Sequence, residues 1–197
     1  MSQRNSLILD VAGVLATNFS PRFWRRLEEE TGTAYEGLML FKKEIRSELW
    51  KGAISEEAFW TRLCTRFPVI QKEQAKRLLL SNIQPLPALE DISVWHEYAD
   101  IHLLSNHRAE WVEPILAPIQ RYVSSVTISS SVGCCKPNPD IYAHVHAKVA
   151  GSSTIWYVDD QEKNLQAARA LGWQTILAGD DGAWRSRILL LISGQRR

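Results

Sequence analysis

Four short clusters in this chain carry side chains that could do chemistry together. Asp10 ends the apolar run LILD and is followed by Ala12 and Gly13; Ser105 and Asn106 end HLLSN; Lys136 stands in CCKPNPD; Asp159 and Asp160 end WYVDD. Phosphoryl transfer needs a nucleophile in line with the leaving oxygen, and positive charge and hydrogen-bond donors around the equatorial oxygens. A carboxylate, a hydroxyl, an ammonium and an acidic pair are groups of that kind. Taken singly, each has a plainer use. An Asp at a strand end forms turns, Ser105 and Asn106 can cap a following helix, and a lone lysine is ordinarily a solvated charge. Their order, each at the end of a predicted strand, singles them out, because open parallel sheets bind ligands beyond the carboxyl ends of their strands.

Five apolar runs, residues 6–10, 101–105, 126–129, 154–160 and 174–178, read as buried strands. From residue 105 onward they alternate with helical stretches. These fall at 107–120, at 139–150 (Asn138 as cap, Pro139 in the first turn) and at 161–171, closed by Gly172. That alternation predicts an α/β fold with a doubly wound, Rossmann-like parallel sheet. Pro114 is expected to bend or shorten the first of these helices.

The long stretch between the first two strands contains no convincing strand. It reads as four helices: 20–32, with Ser20 as cap, Pro21 in the first turn and Gly32 as stop; 35–52; one starting at Ser55, where Glu56 and Glu57 favour the positive end; and 71–82. The expected division is a core of residues 1–15 and 86–197 and a four-helix insertion over 16–85. A helix at 88–98 returns the chain to the sheet.

Of the 197 residues, 45% are hydrophobic and 23% charged, and the formal net charge is +1. This balance excludes a disordered chain and leaves no nucleic-acid footprint. The run ILLLI at 188–192 is too short to span a bilayer, and MSQRNS leads into a strand rather than a signal-peptide apolar region. A cytoplasmic protein with no membrane or nucleic-acid partner is expected. Cys64, Cys134 and Cys135, odd in number and without CxxC spacing, suit reduced thiols. His144 and His146, two apart on a helix, make a poor metal pair. Packing is the expected use of Trp24, Trp50 and Trp60, with room for one or two at a pocket mouth.

The clusters in full, LILDVAGVL, HLLSNHR, SSVGCCKPNPDIY and IWYVDDQEKNLQAARALGW, resemble the four motifs of the haloacid dehalogenase superfamily, over nearly the whole chain. The insertion point, and the segment ELWKGAISEEAFW, resemble the subgroup with a helical cap after the first motif. The resemblance implies that Asp10 is a nucleophile forming an aspartyl-phosphate that water hydrolyses. It implies Mg2+ held by Asp10, the backbone carbonyl of Ala12 and Asp160. Ser105, Asn106 and Lys136 would bind phosphate, with Lys136 also neutralising Asp10. Asp159 and Asn164 would support them, Asn164 orienting a metal-bound water or the lysine. The implied substrate is a small phosphorylated or otherwise anionic metabolite.

Ala12 departs from the pattern. In phosphatases of this superfamily the residue two beyond the nucleophile is an Asp, general acid to the leaving group and then base toward water. A methyl group transfers no proton, and such groups contribute roughly 10²- to 10⁴-fold. The expectation is therefore a weak or specialised magnesium-dependent phosphohydrolase. Three other readings stay open. One is phosphonatase-like carbon–phosphorus cleavage through a Schiff base on Lys51, Lys42 or Lys43. Another is haloacid dehalogenation, against which Asp160 stands, because the metal-free dehalogenases lack that acid. The third is a binding or regulatory protein that keeps the fold. Phe23, Trp24, Phe41 and Trp60 are candidates for the substrate-facing side of the insertion, though core packing is their plainer use.

Overall fold

Strands that read as unbroken apolar runs must be covered on both faces, and the sheet is built that way. The computed structural model describes residues 4–194, so Met1, Ser2 and Gln3 lie outside the described residues. Five strands, β1 (Asn5–Leu9), β2 (Ala99–Ser105), β3 (Val123–Ile128), β4 (Ile155–Asp159) and β5 (Gln174–Leu177), form one sheet in the order β3-β2-β1-β4-β5. All neighbouring pairs are parallel. Four helices follow β1: α1 (Phe19–Thr31), α2 (Tyr35–Trp50), α3 (Glu56–Arg66) and α4 (Lys72–Ser81). The remaining helices are α5 (Ala88–Trp95), α6 (Ala109–Leu116), α7 (Ser129–Val132), α8 (Pro139–Val149), α9 (Glu162–Arg169) and α10 (Ala183–Ser193).

Alternate strand residues enter different layers. Leu7, Leu9, Ile101, Leu103 and Val158 pack with Ile92 of α5, Val112 of α6 and Ile188 of α10. Ile8, Leu104 and Tyr157 pack with Tyr142 and Val145 of α8 and Leu165 of α9. Each fully buried aliphatic side chain contributes roughly 1.5–3 kcal/mol. The apolar ILLLI run lies in α10. Among the described residues no helix is long and apolar enough to cross a membrane. The three cysteines are free.

Local chemistry moves several boundaries. Ser20 is not the cap of α1: Asn18 is, its side chain accepting from the Ser20 N–H at 3.2 Å, and Gly32 closes the helix at φ 69°. Ser55 and Asn138 cap α3 and α8 as expected. The helix expected at 107–120 stops at Leu116 and continues as 3₁₀ over Ala117–Tyr122, as suits a segment in which Pro114 withholds its N–H from the ladder. β3 begins at Val123 rather than 126. It is an edge strand whose Ser124 and Ser125 hide it from an apolar-run search.

The insertion is tied to the sheet through the α2–α3 connection. Gly52 has φ 70°, and a Cβ there would lie 2.0 Å from the Ser130 carbonyl oxygen, so only glycine allows this approach. The Arg108 guanidinium donates to the Ile54 carbonyl at 2.6 Å and pairs with Glu110 at 2.7 Å. Glu56 accepts from Trp60 at 3.1 Å and from Trp111 of α6 at 2.9 Å. These contacts hold the four helices over the carboxyl ends of the strands.

Candidate active site

The strand order reverses beside β1, which places the end of β1 next to the end of β4. Leu9 registers with Val158, and the Asp10 N–H donates to the Val158 carbonyl at 2.9 Å, so Asp10 and Asp159 leave the sheet side by side. Asp10 Oδ1 accepts from the Val11 N–H at 2.6 Å, and its Oδ2 meets Lys136 Nζ at 2.8 Å. The same ammonium reaches Asp159 Oδ2 at 2.6 Å. Asn106 holds the lysine in place: its Oδ1 accepts from the Lys136 N–H at 2.7 Å and its Nδ2 donates to the Lys136 carbonyl at 2.9 Å.

The two adjacent acids are used differently. Asp159, fully buried, accepts from Lys136, the Tyr157 hydroxyl, the Gln161 N–H at 2.8 Å and Asn164 Nδ2 at 2.9 and 3.1 Å. Asp160 accepts one long side-chain hydrogen bond, from Gln161 at 3.4 Å. Gly13, at φ 86°, lets Asp160 come close: a Cβ on Gly13 would sit 2.3 Å from Asp160 Oδ2. One ligand oxygen each from Asp10, Asp159 and Asp160 lies within 4.8 Å of the others.

Burial raises the Asp10 carboxyl well above the ordinary carboxylate range; Lys136 opposes this, and Asp159 and Asp160 add to it. Burial also works against Asp159, but Lys136 and the hydrogen bonds from Lys136, Tyr157 and Asn164 bring it below its ordinary value. Asp160 is raised by burial and by Asp159. Burial acts to lower Lys136, and Asp10 and Asp159 more than reverse it. Asp159 is thus the best compensated of the three acids, while Asp10, which shares Lys136 with it, and Asp160 are under-compensated. Two under-compensated carboxylates, with the half-buried 12–13 turn against Asp160, suit a divalent hard cation. Among the described residues the buried Asn164 Oδ1, at the cavity, has no protein partner, as expected of a group that serves a ligand or its water; the Ser105 Oγ is likewise without one.

Of the residues singled out from sequence, Asp10, Lys136, Asp159, Asp160 and Asn164 converge, and Ala12 and Asn106 line a cavity of about 310 Å³ beside them. Ser105 is buried at the end of β2 and does not line it. The Asn106 amide, expected on a phosphate, is taken up by the Lys136 backbone. Of the three lysines considered for a Schiff base, Lys42 lines the cavity, whereas Lys43 and Lys51 are exposed outside it. Phe23, Trp24, Phe41 and Trp60 are buried packing residues; Phe19 and Trp50 face the cavity instead.

Tyr157, Arg46 and His107 were not marked by the sequence. Tyr157 reads as one more strand aromatic, and Arg46 as one more surface charge of an amphipathic helix. His107 lies among the rings of Phe19, Trp50 and Trp111. Burial pushes its pKa down to about 4. Its folded form stays neutral while the unfolded residue, at 6.5, takes up a proton, so stability falls as pH drops from 6.5 toward 4. Up to about 3 kcal/mol is expected to be lost across that window. Urea unfolding at both ends should show it, and His107→Gln should flatten the slope.

No family profile matches the chain. It is 25% identical over 107 residues to fructose-1-phosphate phosphatase YqaB of Escherichia coli, covering 53% of this chain and 57% of that protein. It is 25% identical over 162 residues to D-ribitol-5-phosphate phosphatase of Bacteroides thetaiotaomicron, covering 76% and 78%. Among solved structures, a haloacid dehalogenase-family enzyme of Bacteroides thetaiotaomicron in its magnesium complex superposes with TM-score 0.79 at 22% identity, over 94% of this chain and 100% of that one. The same enzyme with magnesium and inorganic phosphate gives TM-score 0.77 at 21% identity, over 93% and 98%. The chain has the haloacid dehalogenase fold, with four helices between the first and second strands of its Rossmann-like sheet.

Proposed function

We propose that this chain is a magnesium-dependent phosphohydrolase of the haloacid dehalogenase type, acting on small phosphorylated metabolites in the cytoplasm, with residues 16–85 as a cap over a core of 1–15 and 86–197. The observation that carries this reading is the Asp10–Lys136 contact at 2.8 Å beside an uncompensated Asp160. The phosphatase relatives and the magnesium–phosphate complex of a structural neighbour support it. A variant of that neighbour with one Asp replaced by Ala is likewise complexed with magnesium and inorganic phosphate.

Asp10, Asp160 and the Ala12 carbonyl would hold the metal, which when bound would supply positive charge to the phosphoryl oxygens. Asp10 attacks phosphorus and the leaving oxygen departs with the bonding pair; water then releases phosphate and restores Asp10. Lys136 lowers the repulsion between a carboxylate nucleophile and an anionic substrate, and Asn106 and Asp159 fix where its ammonium points. The cap walls the reaction off from bulk water. Ala12 gives the leaving oxygen no proton, so that proton falls to water or to the substrate, and leaving groups stable as anions react fastest. A dehalogenase has no use for Asp160, and the metal-free readings are weaker for that reason.

Magnesium is expected to support slow turnover of an aryl phosphate, with chelator abolishing it. Turnover of a chlorinated acid in chelator, or borohydride trapping of an aldehyde substrate on Lys42, would replace this reading with dehalogenation or phosphonate cleavage.

A further inference from the structure

The wall of the cavity facing Asp10 is cationic without a partner. Lys42 and Arg46 lie one turn apart on α2 and both line it, and Lys163 of α9 lines it from the core. Asp10 is the one acidic side chain among the lining residues, and it is engaged with Lys136. Neither Lys42 nor Arg46 has an acid three or four residues away: the neighbours of Lys42 are Leu38, Met39, Ile45 and Arg46, and those of Arg46 are Lys42, Lys43, Leu49 and Trp50. Among the described residues neither forms an ion pair, while other cations of the insertion do. Arg25, Arg26, Arg62, Lys72 and Lys76 each pair with a glutamate. Like charges at i,i+4 destabilise a helix. Burial and the Arg46 charge hold the Lys42 ammonium below its ordinary value. The arrangement costs stability, and an anion between the two cations would relieve it.

We infer that Lys42 and Arg46 form a second anion subsite, so that the substrate of the proposed phosphohydrolase carries a carboxylate or second phosphate on the part of the molecule facing α2. The cavity, about 310 Å³, is of a size that takes a small organic ligand rather than a phosphate ion alone. Arg46 offers a planar fork and Lys42 a point charge, a pair suited to a carboxylate or phosphate and indifferent to a neutral polyol.

The inference rests on the phosphohydrolase reading, and calorimetry on the full chain with magnesium separates the two. Inorganic phosphate, phosphoglycolate, ethylene glycol bisphosphate and glycerol phosphate are the probes. Phosphoglycolate or the bisphosphate is expected to bind about tenfold tighter than glycerol phosphate, and the tighter of the two identifies the second group. The Lys42→Gln/Arg46→Gln double variant should bring that ratio near one, whereas Lys43→Gln, removing one positive charge from the same helix outside the cavity, should leave it intact. A ratio near one in the unaltered protein, a ratio that survives the double variant, or equal loss in Lys43→Gln overturns the subsite while phosphate binding still supports the hydrolase. Absence of inorganic phosphate binding overturns both.

Discussion

Replacing Ala12 by aspartate is expected to raise magnesium-supported turnover of an alkyl phosphate by roughly 10²- to 10⁴-fold. Ala12 already lines the cavity beside Asp10, so a carboxyl there is presented to the leaving oxygen without moving the backbone. The surroundings would also hold it in the useful protonation state. Of three clustered carboxylates only Asp10 and Asp159 contact the one ammonium, and Asp10 and Asp160 are both raised by burial and by neighbouring acids. A further carboxyl in that field is raised for the same reasons, and a raised acid donates a proton near neutrality. The gain should be small on an aryl phosphate, whose leaving group needs no proton, so the two substrates measured side by side give a ratio that tests the role. Equal gains on both would mean that the new acid acts on binding or metal affinity instead. No turnover in either the native chain or the variant would favour a binding protein.

The parts of this site that sequence revealed are those fixed by local rules. A parallel strand covered on both faces must be apolar, and its first polar residue marks the carboxyl end where ligands bind; this located Asp10, Ser105 and Asp159 within a residue or two. Asn138 and Ser55 were legible because capping needs a particular side chain at a particular offset. What escaped depends on partners distant in the chain. Nothing near residue 106 announces that its amide clamps the backbone of Lys136, thirty positions on. Nothing in WYVDD separates the acid buried under Tyr157 and Asn164 from the one left open to the turn at Gly13. Helical period places Lys42 and Arg46 on one face of α2. It does not say that this face turns toward the sheet, because that angle is set by Gly52 against Ser130 and Arg108 against Ile54.

Asp10→Asn is expected to abolish turnover, by roughly 10⁴-fold or more, and at the same time to raise the Tm of the metal-free protein. The first effect follows from chemistry, since an amide oxygen does not form the acyl-phosphate. The second follows from burial. The folded Asp10 carboxyl is raised above its unfolded value of 3.8, so above that pH the native state binds more protons than the unfolded chain, and stability falls as pH rises until the folded group has ionised. The neutral amide escapes this cost, and Lys136 keeps Asp159 as its counter-ion at 2.6 Å. Thermal unfolding in chelator should therefore place the variant above the native chain near neutral pH, with the gap closing on acidification. Added magnesium should reverse the order by stabilising the native chain more, because only there is the Asp10 ligand charged. A variant less stable than the native chain in chelator at every pH would show that the attraction between Asp10 and Lys136 outweighs burial, and would remove the charge imbalance that makes the site suit a metal.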